Sequence, residues 1–278
     1  MTTLPKATIA ATEVRTMKSK RTGLEYRISV ALPNSYDSQL RRQYPTIYLT
    51  DANWHFGMVT DLTRVTSRGP ALSDAIVVGI GYAVDDDGPL DVARTQVLKL
   101  RTQDLTPVAD RKLVQDTARL FKVDLKTGGA SKFHKFIQTE LIPVIETNYR
   151  AKTADRILVG HSLGGLFALY ALFQEPRLFR GYVAADPSIG YADKAMLGIE
   201  DRFARRHKAL AAKLYMGVGE LGEVYPYSDM VSGMIQFAAR LESRHYKGFT
   251  LTKQIHANCD HGSVVAPAYQ AGLLAVMG

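Results

Sequence analysis

Apolar residues fall along this chain in two alternating rhythms. In LEYRISVAL (24–32) polar and apolar positions alternate, as a strand with one wet face requires, and ATIAATEVRT just before it supplies a hairpin partner. Short unbroken apolar runs follow: PTIYLT (45–50), AIVVGIG (75–81), RILVG (156–160), GYVAA (181–185) and KLYMGVG (213–219). Runs of that kind suit strands covered on both faces. Between them the spacing changes to three and four, which predicts helices over 131–149, 163–174, 195–211 and 229–245. A last strand, FTLTKQIH (249–256), precedes a terminal helix over SVVAPAYQAGLLAVM. This order predicts an α/β fold in one domain over 1–278: a mostly parallel central sheet, an antiparallel N-terminal edge and helices on both faces. Residues from about 82 to 130 are weakly patterned and too many for a plain connection, so a lid or pocket wall is expected there.

Composition removes several alternatives. Hydrophobic residues make up 46% of the 278, enough for a sizeable core, yet no apolar run approaches the roughly 20 residues of a membrane helix. The N-terminus lacks an apolar signal core, so a soluble, cytoplasmic protein without a membrane partner is expected. Cys259 stands alone, which rules out an internal disulfide and leaves it a poor nucleophile candidate. The net charge of +8 includes the clusters KSKR (18–21) and RRHK (205–208). They are scattered and no nucleic-acid motif accompanies them, so they read as solvated surface, with no nucleic-acid partner. The histidines and acids lack ligand spacing and no phosphate loop occurs, so neither metal nor cofactor is expected. Nothing in the pattern specifies an oligomeric state.

The chemistry concentrates at RILVGHSLGG, where a buried strand ends and a helix begins around Ser162. Gly-x-Ser-x-Gly at that junction is the pattern of a nucleophile elbow. Side chains at Gly160 and Gly164 would collide with the sharp turn, and the helix behind the serine offers free backbone N–H groups. The Leu163 N–H is the predicted oxyanion donor. A serine needs a base, expected beyond the last strand, where His256 and His261 lie. His261, in the loop ANCDHGSV, is the better placed. The orienting acid is expected after KLYMGVG: Glu220 first, with Glu223 and Asp229 as rivals. Asp260 is too near His261 in sequence for their side chains to meet. His161 must point away from Ser162 and reads as a pocket or packing residue. His55, His134, His207 and His245 read as helix or surface histidines, with His55 a candidate for the pocket lining. A second oxyanion donor is expected in the loop YLTDANWHFG (48–57).

From YRISVALPNSYD through YPTIYLTDANWHF, IVVGIGY, RTQDLTP, TGGASKFHKFIQTELIPVIETNYR and GHSLGGLFALYAL to HGSVVAPA, the chain resembles an esterase family of α/β-hydrolases. That family includes S-formylglutathione hydrolases, mycolyltransferases and siderophore esterases, and the likeness leans to the branch of ferric-siderophore (ferri-bacillibactin) esterases. The resemblance implies that Asn53 gives the second oxyanion N–H, with Ala52 where the family has glycine. It also implies that Asp186, in ADPSIGY, replaces the first serine of a Ser-Pro-Ser and brings a charge near the pocket. It makes Arg101 the residue that meets an anionic or polar substrate group; the alternative is an Arg101–Asp104 pair that only holds the loop. Trp54 is either a pocket wall or core. The expected function is hydrolysis of a small-molecule carboxylic ester by a Ser-His-Glu triad without a cofactor. Three alternatives accompany it: a ferric-siderophore lactone esterase, an acyltransferase of the same fold, and a catalytically inactive binding protein.

Overall fold

The structure is a computed structural model that describes residues 7–85, 89–223 and 229–278, apart from the side chain of Phe121. One eight-stranded sheet organises it, in the order β1-β2-β4-β3-β5-β6-β7-β8. The strands are β1 (Thr12–Lys18), β2 (Glu25–Ala31), β3 (Tyr44–Leu49), β4 (Ile76–Tyr82), β5 (Ala151–His161), β6 (Gly181–Ala185), β7 (Ala209–Gly219) and β8 (Lys247–His256). β1–β2 and β2–β4 pair antiparallel and the other pairs are parallel. The two rhythms of the sequence follow from this placement. β3, β4 and β6 are buried along their whole length, whereas β1, at the edge, buries no residue fully.

Alternation along the central strands divides the core in two. In β5, Ile157 and Val159 face a layer closed by α1 (Ala52–Thr66) and α9 (Val265–Met277). Leu158 faces the opposite layer, to which α6 (Leu163–Gln174) contributes Leu166 to Phe173. That layer also takes in α2 (Leu90–Leu105), α4 (Ala130–Phe136), α5 (Ile142–Asn148), α7 (Tyr191–Ala204) and α8 (Met230–Arg244). The helix expected over 131–149 is α4 and α5 joined by a π-type turn, Ile137–Leu141; Pro143, lacking an N–H, opens the second piece.

One predicted boundary is corrected. The helix expected over 195–211 ends at Ala204, and residues from Ala209 join β7. The stretch KALAAKLY has helix-forming residues, but its start pairs with β8 and from Lys213 on it pairs with β6 as well, and pairing wins over local preference. The region from 82 to 130 is also more structured than its patterning suggests, since it carries α2 and α3 (Arg111–Phe121). No described side chain of α3 is fully buried. Among the described residues no helix is long and apolar enough to cross a membrane.

Candidate active site

Ser162 sits between β5 and α6 with φ 59° and ψ −119°, a conformation that costs a non-glycine residue about 1–3 kcal/mol. Its surroundings enforce it. The Ser162 N–H donates to the Ala185 carbonyl at 2.9 Å, while its own carbonyl accepts from Leu166 at 2.9 Å and from Ser188 at 3.2 Å. The flanking glycines behave as the motif requires. A Cβ on Gly160 would lie 2.2 Å from the Gly164 carbonyl oxygen, and one on Gly164 would lie 2.4 Å from Thr50 Oγ1. The serine side chain faces Ser188, with 3.3 Å between the two hydroxyl oxygens.

Of the two candidate bases, His261 meets a carboxylate, and that carboxylate corrects the sequence reading. Its Nδ1–H donates to Asp186 Oδ2 at 2.5 Å. Asp186, not Glu220, is therefore the acid the fold brings to the histidine. Asp186 follows β6, is 0% exposed and adopts φ 43°, which aspartate tolerates better than most residues. Its N–H donates to the Gly217 carbonyl and its Oδ1 accepts from the Gly219 N–H at 3.2 Å, so β7 holds the carboxylate from both ends.

Glu220 begins a 3-10 turn, Glu220–Glu223, that carries it outward, and its exposed carboxylate accepts the Asn258 N–H at 2.9 Å. Glu223 is equally occupied, accepting the N–H groups of Asp229 and Ser232 at the head of α8. Asp229 stays exposed. The other candidate base, His256, is buried at the end of β8 against Tyr215, with 2.8 Å between its Nε2 and the phenol oxygen. Burial holds its pKa below the usual histidine value, partly offset by Asp186.

The turn after β3 lies against this elbow. Asp51 caps α1 with φ 55°, so the left-handed residue is Asp51 and Ala52 needs no glycine-like conformation. The Asp51 carbonyl accepts from Trp54 and His55, which leaves the N–H groups of Ala52 and Asn53 outside the helical ladder. The Asn53 side chain is pinned to β4, donating to the Tyr82 carbonyl and accepting from the Tyr82 N–H. Asp51 also takes the place that the Arg101–Asp104 reading gave to Asp104. Nε and Nη2 of Arg101 each donate to an Asp51 oxygen at 2.8 Å, a buried bidentate pair.

Asp104 instead accepts the Tyr26 hydroxyl at 2.6 Å, and burial raises its carboxyl to about 7. Trp54 is 42% exposed rather than core, with the Arg101 guanidinium carbon 5.3 Å from its ring centre. His161 is buried, and its Nε2 lies 2.8 Å from the carbonyl oxygen of His261.

Ser162 opens into a cleft of about 770 Å³. Leu98, Leu113, Leu125 and Met230 give it apolar walls, and Arg101 and Asp229 add charge. His161, Asp186 and His261 bring possible metal-ligating atoms within 4.8 Å of one another, but Asp186 Oδ2 and His261 Nδ1 already share a hydrogen bond, and His161 Nε2 is spent on a carbonyl.

Sequence reasoning named Ser162, Leu163 and His261 as candidates and did not pair Asp186 with His261. The available signal was an aspartate directly after a buried strand next to the serine strand.

Residues 19–225 match the family model described as "Putative esterase". A ferri-bacillibactin esterase of Bacillus subtilis is 35% identical over 200 residues, which cover 70% of this chain and 65% of that protein, just short of two thirds of its length. A siderophore enterobactin esterase of Emericella nidulans is 28% identical over 276 residues, covering 90% and 88% of the two chains. Among solved structures, the BES protein from Bacillus cereus aligns with a TM-score of 0.82 and 29% identity over 99% of both chains. A siderophore hydrolase from Aspergillus nidulans aligns at 0.80 and 25% over 98% of each. The strand order, the serine on its left-handed turn and a family match that spans most of the sequence agree, and the chain belongs to the esterase family of α/β-hydrolases.

Proposed function

We propose that this protein hydrolyses carboxylic esters by acyl transfer through Ser162, with His261 as base and Asp186 as the carboxylate that orients it. The hydrogen bond from His261 Nδ1 to the buried Asp186 carries the reading, because it fixes the tautomer that leaves Nε2 able to accept a proton. His261 takes the Ser162 hydroxyl proton as the oxygen attacks the ester carbonyl. The carbonyl π electrons move to oxygen, where the Leu163 N–H and a first-turn N–H of α1, assigned to Asn53, stabilise the charge. Collapse expels the alcohol, protonated by His261. Water, deprotonated by the same imidazole, then releases the acid from the acyl-enzyme.

The cleft favours esters with bulky apolar groups. Two relatives are named as a ferri-bacillibactin esterase and a siderophore enterobactin esterase, so a siderophore lactone, free or ferric, is the proposed substrate class. Arg101 has two nitrogens on Asp51, and Nη1 makes no hydrogen bond among the described residues, so it remains for an oxygen of such a substrate.

The test is hydrolysis of p-nitrophenyl esters from acetate to palmitate beside a tricatecholate trilactone with and without Fe(III), using wild type and Ser162→Ala. Lactone opening in wild type alone, faster than the simple esters, supports the full reading. Cleavage of simple esters but not the lactone leaves the hydrolase and removes the siderophore. No cleavage of either by folded protein, and no labelling of Ser162 by a fluorophosphonate, overturns both.

A further inference from the structure

His161 immediately precedes the nucleophile and closes β5, so its side chain leaves the strand opposite to Ser162. That direction takes it under the loop that carries His261. Its Nε2 is 2.8 Å from the His261 carbonyl oxygen. A carbonyl can only accept, so Nε2 carries the proton and Nδ1 the lone pair. The two imidazole rings are also in contact, tilted, with centroids 4.5 Å apart and planes at 40°. Behind His161, the ring of His55 from α1 closes at 5.8 Å and 84°.

The charged and titratable groups around His161 are His261 on its loop, His55 on α1, Arg101 on α2 and Asp186 after β6. Burial first, then His261 and His55, hold the His161 pKa well below the ordinary histidine value. The ring is thus an uncharged, single-tautomer donor wedged between the serine strand and the base loop.

We propose that His161 is a positioning residue for the reaction: its hydrogen bond to the His261 carbonyl and its ring against the His261 imidazole hold the base in register with the adjacent nucleophile. Ser162 has no freedom to adjust, since its backbone is fixed by Ala185, Leu166 and Ser188. Alignment therefore depends on where the His261 loop sits. Asp186 holds the ring at Nδ1, Asp260 caps the N–H groups of Gly262 and Ser263, and the Cys259 carbonyl accepts from Leu221. The His161 bond falls on the peptide of His261 itself. Nucleophile and base are thereby placed by two consecutive residues of one strand end. This inference rests on the serine-hydrolase reading above.

The test pairs two substitutions with a measurement on the unaltered protein. His161→Gln keeps an N–H donor near the position of Nε2, and His161→Phe keeps a ring without a donor. Displacing a catalytic group by about 1 Å costs on the order of 100-fold. We expect kcat to fall by about 10- to 100-fold in His161→Phe with KM within about twofold, and His161→Gln to recover most of the loss. The His261 Nδ1 proton, held by Asp186 and observable far downfield by NMR, should move or broaden in His161→Phe and stay in His161→Gln. In wild type, ¹⁵N-histidine spectra should show His161 as the neutral Nε2–H tautomer throughout pH 5.5–9.

Wild-type kcat in His161→Phe would overturn the proposal, as would equal losses in both variants with the His261 proton unmoved. So would a wild-type His161 that titrates in that range or carries its proton on Nδ1. If neither variant folds, the wild-type spectra decide. Failure of the hydrolase reading is separate: it shows as absent ester cleavage and absent fluorophosphonate labelling, whatever the tautomer of His161.

Discussion

The floor and the cover of the cleft are built on opposite principles. On the floor, Ser162, Asp186 and His161 lie at the ends of neighbouring parallel strands, and backbone bonds across β5, β6 and β7 fix them. On the cover, α3 fully buries no described side chain, and the segments flanking it are tied to each other: the Asp110 N–H donates to Thr127 Oγ1 and the Gly128 N–H to Thr106 Oγ1. Acyl transfer needs preorganised groups, while a site that admits bulky esters needs a wall that can yield. The division shows which part of the molecule should be sensitive to atomic detail and which tolerant.

Substitution of the buried acid should have the largest effect. Asp186→Asn should lower kcat by about 10³- to 10⁴-fold with little change in KM, because an amide can hold the wrong tautomer of His261. Glu220→Gln should stay within about twofold of wild type. Steady-state kinetics on one activated ester checks both, and the reverse ranking would return the acid to the end of β7. The second test breaks the floor sterically. Gly160→Ala places a methyl 2.2 Å from the Gly164 carbonyl oxygen, and a clash with backbone in a packed site should cost about 3 kcal/mol or more and abolish labelling of Ser162. Thermal unfolding and labelling rates measure it.

The cover should respond more gently. Leu113→Ala should raise KM for long-chain or aryl esters by about 3- to 10-fold through lost apolar contact, and change kcat on acetate less than twofold. A loss on acetate matching that on palmitate would mean that α3 takes part in the chemistry.

The smallest effect is expected where α2 rests on the sheet. Burial raises the Asp104 carboxyl to about 7, against 3.8 for a solvated one. The folded protein therefore keeps a proton that the unfolded chain loses. Stability from this group is full below about pH 4, falls as pH rises and is gone above about 7. Asp104→Asn, which keeps an acceptor for Tyr26, should raise Tm by about 2–5 °C at pH 8 and leave it nearly unchanged at pH 4. Equal shifts at both pH values would place the effect in packing rather than ionisation.

The same contrast governs what could be read from the sequence. The elbow was legible because its demands are local: two glycines and a change of period within a few residues impose the turn around Ser162. His261 followed from chain order. The acid did not, because several carboxylates lie near strand ends and nothing in GELGEVYPYSD reveals that Glu220 turns outward. The pairing of Asp186 depends on Gly219, one helix and one strand later, offering its N–H to Oδ1. Arg101 escaped for a similar reason. Asp104 is three residues away, but α2 delivers the guanidinium to Asp51, some fifty positions back. The start of the strand in 209–219 has the spacing of a helix, and only the neighbouring strands disclose its pairing.

Placing the proposed acid after β6 has a consequence for how this scaffold can diversify. On the reading proposed above, the end of β7 supplies no side chain to the proton relay, although Glu220 and Leu221 still bond the loop that carries His261. Asp229 and Met230, further along the chain, already line the cleft. Selection for a new alcohol or acyl group can act there as an independent module, while the chemistry is inherited intact.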